Sequence, residues 1–223
     1  MTINLFPTSL LDKKQKMNIL IHPTYFPSVA HFAAMLQASH ITFEVEDNFQ
    51  KQTNRNRTYI YSPNGKQLLN IPIKHSGNIP HQKLKEIQID YSENWQKQHY
   101  KSLEMAYRSS PFFEYFEDDL LPLFENKTKF LIDYNFEVFE VLQSCLGTNL
   151  EFDKTTEFIK KPEDIKDFRY LVDGKRMINQ FEPYTQVFEE KHGFLTDLSV
   201  LDLLFNEGRY AVDYLKKQEL QSF

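Results

Sequence analysis

The stretch MNILIHPTYFPSVAHFAAMLQASHITFEVE, residues 17–46, decides the fold. Met17 to Ile21 is a short apolar run stopped by His22-Pro23. The residue before a proline is biased toward extended backbone, so a buried strand is expected here. Ser28 offers a hydroxyl to cap a helix reaching Ser39, with Val29, Phe32, Ala33 and Leu36 on one face. Ile41 to Glu46 alternates apolar and polar side chains with β-branched content, which is the pattern of a second strand.

Toward the C-terminus, Arg57 to Tyr61 and Gln67 to Ile73 flank Ser62-Pro63-Asn64-Gly65. The Asn-Gly pair in a short loop between two such runs predicts an antiparallel hairpin. A polar loop over His75 to Lys83 precedes Lys85 to Ile89, which alternates again, so four or five strands are expected by residue 90. The periodicity then changes. Asp90-x-x-Glu93 has the form of a capping box, and Trp95, His99, Leu103, Ala106 and Tyr107 make one helical stripe. Pro111 suits the first position of a helix carrying Phe112, Phe113, Phe116 and Leu120. A third helix is expected from about Lys129 to Leu146, stopped by Gly147, and two more over Asp197 to Phe205 and Tyr210 to Gln218. Residues 150–185 show only weak periodicity. The pattern predicts the α/β class, leaning to α+β. A mixed, partly antiparallel sheet in the N-terminal part is packed by helices from the C-terminal part, within one domain over residues 17–220 after a leader over 1–16.

Composition narrows the function classes. A chain of 223 residues and 26.6 kDa is long enough to bury a full core, roughly 70% of its unfolded surface. The single cysteine, Cys145, excludes an internal disulfide, a CxxC redox pair and a zinc site needing two thiolates from one chain. The 6 glycines stand apart, so neither GxGxxG nor GxxxxGK[ST] occurs. A net charge of −5 argues against a generally nucleic-acid-binding surface, and charges interrupt every apolar run before it reaches the ~18 residues of a membrane helix. The N-terminus has no basic region of a signal peptide, so the cytoplasm is the expected location.

The densest polar segment is Glu46 to Arg57. On extended backbone Arg55 and Arg57 point to one face, where two guanidinium forks can clamp a phosphate or carboxylate. A solvated loop with surface ion pairs is the plainer alternative, and composition and spacing by themselves favour it. His22, His31 and His40 are nine residues apart. Nine helical residues make about 2.5 turns, so successive members fall on opposite faces and do not form a metal array. His22 stands at a strand's C-terminal end, where sites of α/β proteins often lie, and a strand-end histidine bonded to backbone is its plain alternative. His99 lies on an apolar stripe as either a satisfied core histidine or a general base lining a cleft. Asp202, inside Leu198-Ser199-Val200-Leu201-Asp202-Leu203-Leu204-Phe205, occupies either a narrow polar face or a buried position against a partner such as an arginine. Cys145 reads as an inert buried thiol, and the segment Phe112-Phe113-Glu114-Tyr115-Phe116 as core with some rings left for a cleft or interface.

Several of these segments together resemble one family. They are Pro23-Thr24-Tyr25-Phe26-Pro27, Lys51-Gln52-Thr53-x-Arg55-Asn56-Arg57, Asn64-Gly65 with Leu69-x-Ile71-Pro72-Ile73, and Trp95-x-x-x-His99. Ala106-Tyr107-x-x-x-Pro111-Phe112-Phe113-x-Tyr115, Leu131-x-Asp133-x-Asn135, Tyr184-x-Gln186-x-Phe188, Gly193-Phe194 and Leu198-Ser199-x-x-Asp202-Leu203-Leu204-Phe205-Asn206-x-Gly208 continue the match. In order and spacing, over roughly residues 18–210, the chain is similar to the WbqC-like proteins. The resemblance implies an association with gene sets for surface polysaccharides such as O-antigen of lipopolysaccharide, and acyl or aminoacyl transfer to amino sugars. Many members carry Gln where this chain has His22, so it assigns no universal catalytic role there. The stretch from about 150 to 183 is shorter than in longer members.

With the resemblance, the Glu46–Arg57 loop reads as part of a pocket. The expected function is a transferase-like enzyme binding an anionic small molecule such as a nucleotide sugar or activated acyl donor. His99 is the expected proton acceptor, with Asp202 pairing an arginine. Tyr25, Gln50, Lys51, Gln52, Arg55, Asn56, Arg57, Tyr107 and Asn206 are the expected substrate contacts. No metal, nucleic acid or membrane is expected, and the sequence points to no particular cofactor. The rival reading is a non-catalytic binding or scaffold protein, with a homodimer through exposed aromatics as one form.

Overall fold

The computed structural model describes residues 17–74, 82–174 and 181–220. The expected leader over 1–16 and most of the polar loop after His75 lie outside the described residues. Asn18–Ile21 forms β1, Val29–Gln37 forms α1 and His40–Phe43 forms β2. Ser28 caps α1 as its composition predicts, accepting the His31 amide, and α1 lets the chain return so that β2 pairs with β1 in parallel.

Arg57–Ser62 and Gly65–Asn70 are β3 and β4, an antiparallel pair in unbroken register from Arg57 opposite Asn70 to Ser62 opposite Gly65. Gly65 sits at φ 93°, a conformation that its lack of a Cβ permits. The helical layer comprises α2 (Trp95–Tyr107), α3 (Phe113–Glu125) and α4 (Leu131–Leu146). Phe152–Lys154 is β5, Lys166–Asp167 is β6, Glu189–His192 is the short α5, and α6 (Val200–Glu207) and α7 (Ala211–Lys217) close the chain.

The two sheets are separate. β5-β2-β1-β6 is entirely parallel, and β3-β4 stands as its own hairpin. The outer strands of the parallel sheet thus come from the 150–185 stretch whose periodicity is weak, because strands of two or three residues give too short a pattern to read. α1 and α4 cover the sheet through Phe32, Phe136 and Phe139, with Phe139 and Phe136 edge-on to Phe43 of β2.

Four local expectations are corrected. Lys85 to Ile89 is not a strand; a 3-10 turn over Leu84–Glu86 is followed by single bridges from Gln88 to Phe130 and Ile89 to Ile73. Asn94, not an Asp90–Glu93 capping box, starts α2 by accepting the Lys97 amide, while Asp90 turns to the Ser92 amide. α3 begins two residues after Pro111 and runs past Leu120 with Pro122 inside it. Ser199 caps α6, which therefore starts after Asp197.

Candidate functional site

β1 lies between β2 and β6, and the chain leaves β1 for one neighbour and reaches the other only 145 residues later, at Lys166 of β6 after Ile21 of β1. Such a divergence opens a crevice at the carboxyl ends of parallel strands. Three residues that follow these strands meet there: His22 after β1, Glu44 after β2 and Arg169 after β6.

His22 is buried and its ring is hydrogen-bonded at both nitrogens. Nη2 of Arg55 donates to Nε2 at 2.8 Å, so that nitrogen is the acceptor, and Nδ1 carries the proton toward the Glu44 carbonyl at 3.3 Å. Burial, and then the Arg55 charge, push the imidazole well below its ordinary value and keep it neutral. Arg55 is fully buried. Its Nη2 also donates to Asp47 Oδ2 at 2.8 Å and its Nη1 to Thr53 Oγ1 at 3.3 Å. Burial lowers the guanidinium from its usual value, with the Asp47 carboxylate opposing.

Glu44, wholly buried, accepts from the Thr155 hydroxyl and the backbone amides of Glu46 and Ile159, with Arg169 at 3.5 Å. Arg169 forks onto Asp167 through Nε and Nη2 and donates to the Ile159 carbonyl. A recess of about 280 Å³ opens beside this cluster, lined by His22, Asp47, Gln50, Arg55, Arg169 and Asp173 with the rings of Phe158 and Tyr170. Arg55 and Arg169 are each tied to a carboxylate, so the recess presents paired charges and hydrogen-bonding groups instead of free cations.

The two-arginine clamp does not form. Thr53 to Asn56 is a run of turns and not extended backbone, so the alternation that predicts a common face is lost. Arg57, the first residue of β3, donates to Asn70 and lines a second recess of about 420 Å³ with Phe49, Lys51, Gln52, Asn56 and Asn70. The polar loop is therefore a wall between two recesses. Asp47, Gln50 and Arg55 face one; Lys51, Gln52, Asn56 and Arg57 face the other.

His99 and Asp202 belong to the interior. His99 Nδ1 is 2.9 Å from the Tyr25 hydroxyl, and burial lowers the imidazole to about 4, with the Asn70 backbone opposing. Both Tyr25 and His99 are buried, and neither lines either recess. Among the described residues Asp202 meets no arginine. It accepts from Tyr107 (2.8 Å), Tyr184 (2.6 Å) and Gln186 (2.8 Å), while Asn206 turns back onto the Asp202 carbonyl. Burial raises the carboxyl from its usual value against the pull of those donors. Tyr107 also accepts the Tyr61 amide, so this network fastens α2, α6 and the hairpin together. Of the expected contacts, only Gln50 and Arg55 line the recess at the sheet edge.

Asp47, Arg169, Tyr170 and Asp173 were not among the expected contacts. Asp47 lies inside the polar Glu46–Arg57 segment, and Asp167-x-Arg169 is the one local signal for the rest.

The fold and the recess define a mixed α/β protein with a polar small-molecule-sized crevice at the carboxyl edge of a short parallel sheet. The model of the WbqC-like protein family matches residues 22–182, and the chain belongs to that family. It is similar to the uncharacterized protein Rv1507c of Mycobacterium tuberculosis (strain ATCC 25618 / H37Rv), 23% identical over 224 residues that cover 88% of this chain and 96% of that protein. No solved structure matches the chain. Among the described residues no helix is long and apolar enough to cross a membrane.

Proposed function

We propose that the recess beside His22, Asp47 and Arg55 binds a polar small molecule bearing hydroxyl and amino groups, and that the protein acts there as an acyl- or aminoacyl-transferase on an amino sugar of a surface polysaccharide pathway, in the cytoplasm. The observation that carries this reading is the Asp47 carboxylate at the rim, fixed by Arg55 at 2.8 Å beside a neutral His22. A carboxylate held this way suits an amine or hydroxyl donor, and flanking rings suit a sugar face. Because both arginines are already paired, the recess favours the sugar end of a nucleotide sugar over its phosphates; Lys51 and Arg57 across the loop are the cations for an anionic end.

In the transfer, the amine nitrogen attacks the carbonyl carbon of an activated ester or thioester donor and the C–N bond forms. The C–O or C–S bond breaks, and the amine proton passes to Asp47 and then to the departing alkoxide or thiolate. His22 positions Arg55 and is not the base, because a second positive charge beside Arg55 is unfavourable.

Thermal-shift titration with amino sugars and nucleotide amino sugars tests the binding. Stabilisation is expected in the wild type and its loss in Asp47→Asn, since a bound ligand adds RT ln(1 + [L]/Kd). Equal stabilisation by inorganic phosphate, untouched by Asp47→Asn, overturns it. A binding protein without turnover is the second reading, favoured by the interior hydrogen bonds of His99 and Asp202. Acyl-donor consumption in the presence of the bound amine separates the two.

A further inference from the structure

A small cavity of about 10 Å³ lies between the His22–Pro27 turn, α1 and α4. Thr24, His31 and Asn135 line it together with apolar side chains that include Met35, Phe43 and Phe139, and every lining residue is buried. Thr24 Oγ1, His31 Nδ1 and Asn135 Oδ1 each have hydrogen-bonding capacity that no group among the described residues uses. Three residues with such atoms around one cavity are unusual, because a buried polar group without a partner costs about 1–3 kcal/mol.

Their chemistry is complementary to one ligand. His31 Nε2 is 2.8 Å from the His22 carbonyl oxygen and must donate to it, which leaves Nδ1 as a bare acceptor. Asn135 Nδ2 donates to the Arg55 carbonyl at 2.8 Å and faces the Pro23 carbonyl at 3.4 Å, so the amide is oriented and Oδ1 is the acceptor. Thr24 Oγ1 remains as a hydroxyl with a proton to give. We infer that the cavity holds a single internal water molecule, which donates to His31 Nδ1 and Asn135 Oδ1 and accepts from the Thr24 hydroxyl.

The volume agrees, since a cavity needs about 10–15 Å³ for one water and the water needs two to four polar partners. Burial lowers His31 to about 4, which keeps Nδ1 unprotonated at neutral pH. The same water-binding side chains hold backbone carbonyls of His22, Pro23 and Arg55. The water therefore supports the backbone that carries His22 and Arg55, whatever the recess binds.

A crystal structure of the wild-type protein at a resolution that shows ordered solvent tests this. One density peak within about 3.2 Å of all three atoms is the expected result. A dry cavity, or rotation of the side chains to pair with one another, overturns the inference. Water-oxygen relaxation dispersion provides a second measurement in solution: one long-lived internal water in the wild type is lost in Thr24→Val, which keeps the side-chain volume and removes the donor. An unchanged long-lived signal in a folded Thr24→Val protein overturns Thr24 as a ligand. Long-range nitrogen NMR of His31 should show the Nε2–H tautomer with Nδ1 accepting; the opposite tautomer overturns the hydrogen-bond assignment.

Discussion

Nη2 of Arg55 stands 2.8 Å from Nε2 of His22, and the two side chains are 33 residues apart in the chain. The contact fixes the histidine tautomer without a proton on Nε2. A glutamine side chain can fill the same two roles as the ring: its amide oxygen can accept from Arg55 while the amide nitrogen donates to the Glu44 carbonyl.

His22→Gln should therefore fold and bind as the wild type does, within about 1 kcal/mol in urea denaturation. His22→Phe leaves the Arg55 donor and the Glu44 carbonyl without this partner and should lose about 1–3 kcal/mol. Equal stability of the two variants contradicts the assignment.

Arg55→Met leaves Asp47 without its buried cation, and should cost about 3–5 kcal/mol in chemical denaturation. Arg55→Lys should recover only part of this, because an ammonium cannot present the planar fork that reaches His22, Asp47 and Thr53 together. Arg57→Ala, on the exposed rim of the other recess, should stay within about 0.5 kcal/mol of wild type.

Asp202→Ala strands three buried donors, from Tyr107, Tyr184 and Gln186, at about 1–3 kcal/mol each before any relaxation. Thermal melting should show the largest loss among the expected site residues. Tyr184→Phe should cost less, since Gln186 and Tyr107 continue to hold the carboxylate.

Acid stability follows from buried neutral histidines. His31 and His99 fall to about 4 in the fold against 6.5 when unfolded, so between those values the unfolded chain binds more protons. Stability therefore rises with pH through this window, at up to about 1.4 kcal/mol per pH unit for each histidine, and is lost as pH falls toward 4. Asp197 acts in the opposite direction. Burial raises its carboxyl from 3.8 to about 6, so the folded state binds the extra proton and stability falls as pH rises between those values. Asp197→Asn should make the net loss below pH 6 steeper, as read from urea midpoints between pH 4.5 and 7.

Cys145 lies buried at the end of α4, and burial pushes its thiol up to about 12. A disulfide reagent should not react with the native protein at pH 8 and should titrate one thiol after denaturation. Rapid native labelling contradicts this placement.

Much of the scaffold was legible because it depends on local rules. The apolar run ending at His22-Pro23, the Ser28 cap, the Asn64-Gly65 turn and the αL glycine at Gly147 each act within a few residues, and each element stands where those signals put it. His22 at a strand's carboxyl end was visible in the same way. The outer strands of the parallel sheet were not, since β6 has two residues and is defined by pairing with Ile19 and Leu20.

The sequence by itself determined the class of fold and the family, because hydrophobic periodicity, turn residues and motif spacing are written along the chain. Only the tertiary structure decided which face each polar residue takes. Turns at Thr53 to Asn56 sent Arg55 inward to His22 and Asp47 and Arg57 outward to Asn70. Burial turned His99 and Asp202, expected as chemistry, into satisfied interior contacts, while Arg169 joined the site from a distant segment. The physical reason is that a polar side chain's role is set by its partners and its access to water, and for these residues the partners lie tens of residues away in the chain.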